Sequence, residues 1–278
     1  KTAYEIMPSL VGSEMCIRDR NIADQAAHLP YGATVSVTCS PAGTIDDTLD
    51  LCATFTAAGH TTVPHLAARM VDGEDHVDRI VARLTTQGIR RVFVIGGDAE
   101  QRGPFADAAG FLRSFLDRHP PVDVVGIGAY PDGHPSIPDG VLVEALAEKQ
   151  AMIAESGLEG YLATQMCFNP NTIADWLAAR RAAGITLPCH VGVPGAIDPA
   201  RLLSISLRLG VGVSARYLKK NRLSVLRLLS PRRYDPNKLV VPLSAVADQL
   251  DVAGTHCFTF NSVEATEAWR QKSLARLA

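Results

Sequence analysis

Short apolar runs alternate with longer amphipathic ones along this chain. The strand-like runs fall at 3–7, 33–38, 61–66, 91–97, 122–130, 160–166, 187–193 and 255–260. They are rich in Val, Ile, Thr and Tyr and show little in/out alternation, as expected of parallel strands covered on both faces. Between them the apolar spacing predicts helices over 44–58, 74–87, 104–118, 138–155, 171–183 and 199–209. Three more are predicted near 214–229, 242–250 and 263–276, with a polar loop over 231–239. Thr44 with Asp46 and Asp47 suits a helix start, and Gly88, Gly157, Gly184 and Gly210 stand where helices should stop.

Eight strands in βα units of roughly thirty residues predict a (β/α)₈ barrel of the TIM type, as one domain over 1–278. A doubly wound open sheet is the alternative, but no Gly-rich dinucleotide fingerprint follows any strand. Residues 10–20, LVGSEMCIRDR, have neither helical nor strand periodicity and read as a translated transposon-type sequencing adapter. They are set aside as a segment interrupting the first βα unit.

Composition narrows the class. Hydrophobic content of 47% with 6% aromatics is that of an Ala/Val/Leu-rich soluble enzyme. No apolar run approaches the ~20 residues of a membrane span. A net charge of −2 leaves no nucleic-acid footprint. Outside 10–20 the cysteines are scattered with no CxxC, which predicts reduced, buried thiols in a cytoplasmic protein and no metal site.

In such a barrel, chemistry sits at the carboxyl ends of the strands. There the sequence places Glu5, Thr38, His65, Asp98, Tyr130, Asp132, His134, Gln165 and Asn261. Each alone is an ordinary turn, cap or core residue, and it is their recurrence from strand to strand that marks a site. Gly96–Gly97 lets backbone approach a flat or anionic ligand closely, but no phosphate-loop GK[ST] follows.

These residues fall into an ordered set of motifs. YEIMP (4–8), VSVT (35–38), PHLAAR (64–69), GGDA (96–99), AYPDGHP (129–135), ATQMCF (163–168), GVPG (192–195) and FTFN (258–261) run in sequence, with Lys149 on a helix between. In this the chain resembles the methylenetetrahydrofolate reductase family. The resemblance implies a flavin-dependent barrel that reduces 5,10-methylenetetrahydrofolate to 5-methyltetrahydrofolate with NAD(P)H, FAD being the cofactor. It implies Glu5, Asp98 and Gln165 as catalytic residues: Glu5 as general acid, Asp98 beside flavin and pterin, Gln165 on folate and nicotinamide. Thr38, His65, Gly97, Asp98, Tyr130, His134 and Lys149 would line the flavin site. A folate is the implied partner, with neither nucleic acid nor membrane, and a homo-oligomer remains open.

The chain also departs from the family pattern. Gly96 stands in place of an Arg, Asp132 in place of a Glu, and Met166 and Cys167 in place of aromatics. The lost Arg would have faced flavin phosphates. Two alternatives therefore stay open: direct hydride transfer from nicotinamide to folate, and a non-catalytic folate- or flavin-binding barrel serving a methyltransferase partner.

Overall fold

The structure, a computed structural model, describes residues 14–17, 26–40, 42–198, 201–202 and 235–275. Eight strands succeed one another round a closed barrel in chain order. They are β1 (Glu14–Ile17), β2 (Thr34–Val37), β3 (Thr61–Ala67), β4 (Arg91–Ile95), β5 (Val124–Ala129), β6 (Glu159–Thr164), β7 (Cys189–Pro194) and β8 (Val252–Phe258). The pairings β2–β3, β3–β4, β4–β5 and β7–β8 are parallel. Closure leaves no strand edge exposed, and the connecting helices cover the outer face.

The helices are α1 (Ile45–Ala57), α2 (Glu74–Gln87), α3 (Ala108–Leu116), α4 (Asp139–Glu155), α5 (Pro170–Ala182), α6 (Asn237–Ser244), α7 (Ala247–Leu250) and α8 (Val263–Leu274). Local chemistry sets their ends. Thr44 Oγ1 accepts from Asp47 N at 3.0 Å while Thr44 N donates to Asp47 Oδ2 at 2.9 Å, a reciprocal capping box. From there α1 buries Ile45, Leu49, Cys52 and Phe55, one helical stripe. Helix α2 stops at Gly88, whose φ of 64° belongs to the left-handed region that glycine enters without strain.

The chain divides into two compact units: 1–15, 129–142 and 163–278 in one, 16–128 and 143–162 in the other. In the second, Gly126 of β5 lies between Phe93 and Tyr161, whose ring centroids are 5.9 Å apart. A Cβ on Gly126 would fall 2.4 Å from atoms of both rings, so glycine is what lets them pack there. In the first, a Cβ on Gly192 would lie 2.0 Å from the Thr164 carbonyl oxygen.

The structure corrects four sequence expectations. Strand β1 is Glu14–Ile17, inside the run set aside as adapter-like, and all four residues are buried. Strand identity here follows barrel closure, which needs a strand before β2, rather than local periodicity. The strand expected at 3–7 lies outside the described residues, as do the helix near 214–229 and all of 199–209 except 201–202. Helix α3 begins at Ala108, because Asp107 caps it by accepting from Gly110 N at 2.9 Å. The polar loop ends earlier than its composition suggests, at Asn237. The helix expected at 242–250 is two, α6 and α7. All six thiols are free and buried, the five outside 10–20 as expected and Cys16 with them, and no described helix is long and apolar enough to cross a membrane.

Candidate active site

In the unit holding β2–β4, Thr38 follows β2, His65 sits near the end of β3, and Gly97 and Asp98 follow β4. Thr38 N donates to Ile17 O at 2.9 Å, and its hydroxyl lies 2.7 Å from Cys16 Sγ. His65 is buried, with Nε2 2.6 Å from the buried Ser36 hydroxyl and its ring 4.7 Å from that of Phe93. Gly97 has φ 85°, and a Cβ there would come within 3.0 Å of Ala67 Cβ, so the turn needs glycine on both counts. Gly96 differs: a Cβ would meet nothing closer than Ala108 N at 3.9 Å. Backbone and space therefore both admit a side chain at position 96. Asp98 is exposed and makes no hydrogen bond or ion pair among the described residues.

Lys149 lies on the buried face of α4 with Leu146 and Ile153, where an aliphatic side chain is the usual occupant. Burial pulls its pKa down, partly offset by the carboxylates of Asp107 and Glu148. Among the described residues it forms no salt bridge. A buried ammonium in that condition is a natural seat for an incoming anion.

In the other unit, Tyr130, Asp132 and His134 follow β5. Gly133 N donates to Tyr130 O at 3.0 Å, closing a turn with Pro131 and Asp132 at its centre and Gly133 at φ 75°. The Tyr130 and His134 rings meet edge to face at 5.4 Å. Burial of its carboxyl raises the Asp132 pKa, with the Cys167 thiol opposing the rise. Gln165, just past β6, donates its N–H to Ala129 O at 2.7 Å. Its Oε1 accepts from Met166 N at 2.9 Å, and its Nε2 makes no hydrogen bond among the described residues. Past β8, Phe260 and Asn261 both hold positive φ, 48° and 60°. Two adjacent non-glycine residues in that region store strain, a feature that concentrates at functional sites.

The structure thus gathers Tyr130, Asp132, His134 and Gln165 in one unit, and Thr38, His65, Gly97, Asp98 and Lys149 in the other. Glu5 lies outside the described residues. The sequence reading passed over a buried group. Glu14 Oε1 is 3.4 Å from His256 Nδ1, and its Oε2 is 3.9 Å from His190 Nδ1. Glu14 was set aside with its segment. The two histidines were hidden in apolar strand runs, where an imidazole is the one polar signal to look for.

Fold and residues together describe a barrel with polar groups at its strand ends. The chain matches the methylenetetrahydrofolate reductase family over residues 18–197. That stretch begins directly after β1 and runs through β7. The chain belongs to the methylenetetrahydrofolate reductase family. Methylenetetrahydrofolate reductase 1 of Schizosaccharomyces pombe is 23% identical over 141 residues, which is 48% of this chain and 22% of that protein. The chain therefore aligns with less than a quarter of that relative's length. Among solved structures, a Clostridium thermocellum protein that binds two copies of 5-methyl-5,6,7,8-tetrahydrofolic acid superposes with TM-score 0.64 at 12% identity, covering 98% of each chain. A putative phosphonomutase from Burkholderia cenocepacia J2315 superposes with TM-score 0.50 at 14% identity, covering 99% of this chain and 98% of that one. At such identities these likenesses speak for the barrel alone.

Proposed function

We propose that this protein is an oxidoreductase that reduces 5,10-methylenetetrahydrofolate to 5-methyltetrahydrofolate with NAD(P)H. The observation that carries the reading is the family match over 18–197, which contains Thr38, His65, Asp98, Tyr130, His134, Lys149 and Gln165. The Clostridium thermocellum neighbour, which binds the proposed product, supports the substrate class. The free thiols suit a reducing compartment, and we assign the protein to the cytoplasm.

The residues fit a flavin. Lys149 is a buried cation with no salt bridge among the described residues, suited to a phosphate, and Gly97 offers bare backbone. Thr38, His65, Gly97, Asp98 and Lys149, all in one unit, are the residues we assign to hold FAD. When bound, FAD supplies the hydride carrier between nicotinamide and folate. Asp98 accepts hydrogen bonds from the pterin and opposes the positive charge that develops on the iminium. Gln165 Nε2 donates to the folate and fixes the carbon to be reduced. For the proton that opens the ring, the resemblance names Glu5.

Gly96 favours a second reading, direct transfer from nicotinamide to folate, because a cation for the flavin phosphates is missing there. Deuterated nicotinamide separates the two. Deuterium retained in the product methyl group marks direct transfer, whereas transfer by way of a bound FAD would lose the label to water. Absence of any 5-methyltetrahydrofolate would overturn both.

A further inference from the structure

Past β6, β7 and β8 the chain gathers a group of rings that the proposed site does not use. Met166, Ile197 and Leu202 are buried together, and the partly buried rings of Phe168, Phe258 and Phe260 pack against them. Phe258 and Phe260 stack, with centroids 6.2 Å apart and planes inclined by 22°. Phe258 closes β8, and its ring reaches the backbone of β7, since a Cβ on Gly192 would fall 2.9 Å from its Cε2. All of these residues belong to the compact unit that holds Gln165.

Arg201 stands beside these rings. Its Nη2 donates to Phe260 O at 3.0 Å, and Arg201 N donates to Asp198 Oδ1 at 3.0 Å. The residue is exposed, and its guanidinium forms no salt bridge among the described residues. A guanidinium carries five N–H donors in a flat fork that matches a carboxylate, and the Phe260 carbonyl takes up only part of that capacity. The same carbonyl restrains the side chain, so less freedom is lost when an anion docks. The anchoring residue is itself unusual, because Phe260 and the next residue, Asn261, hold φ of 48° and 60°. That strained turn carries both a ring of the stack and the carbonyl that holds Arg201.

Flat apolar rings thus lie next to an exposed cation. A ligand that answers both has an aromatic ring followed by a carboxylate. Strands β6, β7 and β8 are consecutive neighbours, so this surface continues from Gln165, the residue assigned to the folate. A folate presents its groups in the matching order: the pterin, then the p-aminobenzoyl ring, then a glutamate with its carboxylates. Resting on the reductase reading, we infer that the p-aminobenzoyl ring lies against Phe258 and Phe260 and that Arg201 pairs with a carboxylate of the glutamyl tail. Arg201 is then a specificity-determining residue. It is remote from the hydride transfer and selects folates that carry the tail over those that lack it.

The test uses the full chain and two ligands, 5-methyltetrahydrofolate and 5-methyltetrahydropteroate, which differ only in the glutamate. Affinities come from titration calorimetry, and KM and kcat from nicotinamide oxidation with the two 5,10-methylene forms. Wild type should favour the glutamylated ligand by about 10-fold or more, and Arg201→Ala should shrink that preference to within about 3-fold. Arg201→Lys, which keeps the charge without the fork, should recover part of the preference, and Arg201→Gln none of it. In turnover the change should fall on KM. Phe260→Leu should weaken both ligands by a similar factor, because both carry the ring. Arg201→Ala that weakens both ligands alike, with the preference intact, would mark a structural role through the Phe260 carbonyl and overturn the pairing. Unchanged affinities in Phe260→Leu overturn the ring contact. Wild-type turnover with no preference between the ligands overturns the tail site and leaves the reductase standing. An Arg201-dependent preference in binding, with no turnover of either methylene form, overturns the reductase and leaves the tail site. Binding of neither ligand overturns both.

Discussion

Ser36 and His65 stand on neighbouring strands with Oγ and Nε2 2.6 Å apart, both buried. In a water-excluded place this bond fixes which way the ring faces. Ser36→Ala leaves His65 Nε2 without that partner. Unfolding stability should fall by about 1–3 kcal/mol, measured by urea denaturation with unchanged m-value.

Two glycines on adjoining strand segments should respond oppositely. Gly126→Ala drives a methyl into Phe93 and Tyr161, both rigid rings, and should cost about 1–3 kcal/mol or more. At Gly96 a Cβ makes only an ordinary contact, 3.9 Å from Ala108 N, so Gly96→Arg should fold as well as wild type. Under the proposed function it should also tighten FAD binding, read from the yellow absorbance that survives gel filtration. An unstable Gly96→Arg would contradict the packing described here.

Lys149 makes stability depend on pH. Unfolded, the lysine titrates at its ordinary 10.5, and buried it titrates lower. Between those values the unfolded chain binds more protons, so stability rises with pH. The cost of burying the charge is full below the folded pKa and vanishes above 10.5. Lys149→Met should therefore be more stable than wild type at acidic pH, with the gap closing as pH rises toward 10.5. A gap that does not change with pH would show that charge burial is not its source.

Much of the fold was legible because Val, Ile and Thr runs and terminal glycines obey short-range rules. The strand at 61–66 became Thr61–Ala67, and the helix at 74–87 fell at the positions expected. What was not legible was decided at long range. Glu14–Ile17 is a strand through closure, not through its own pattern. The helix α3 start needed the Asp107 side chain to be seen capping it. At the site, the motifs located residues but not their partners. The tie between Gln165 and Ala129, thirty-six positions apart, follows from the adjacency of β5 and β6.

Thr44 tests the local part of the account. Thr44→Ala removes the cap of α1 and should cost about 0.5–2 kcal/mol, with Thr44→Ser near wild type. Equal stability of all three in urea would mean that packing alone sets the start of α1.

The central claim is a folate reduction coupled to nicotinamide. The most direct measurement follows NADH and NADPH oxidation by the purified chain with 5,10-methylenetetrahydrofolate, with and without added FAD, and identifies the product. The account predicts oxidation that requires the folate and yields 5-methyltetrahydrofolate in equal amount. Folate binding without any oxidation, in either condition, would contradict it and make this barrel a binding protein.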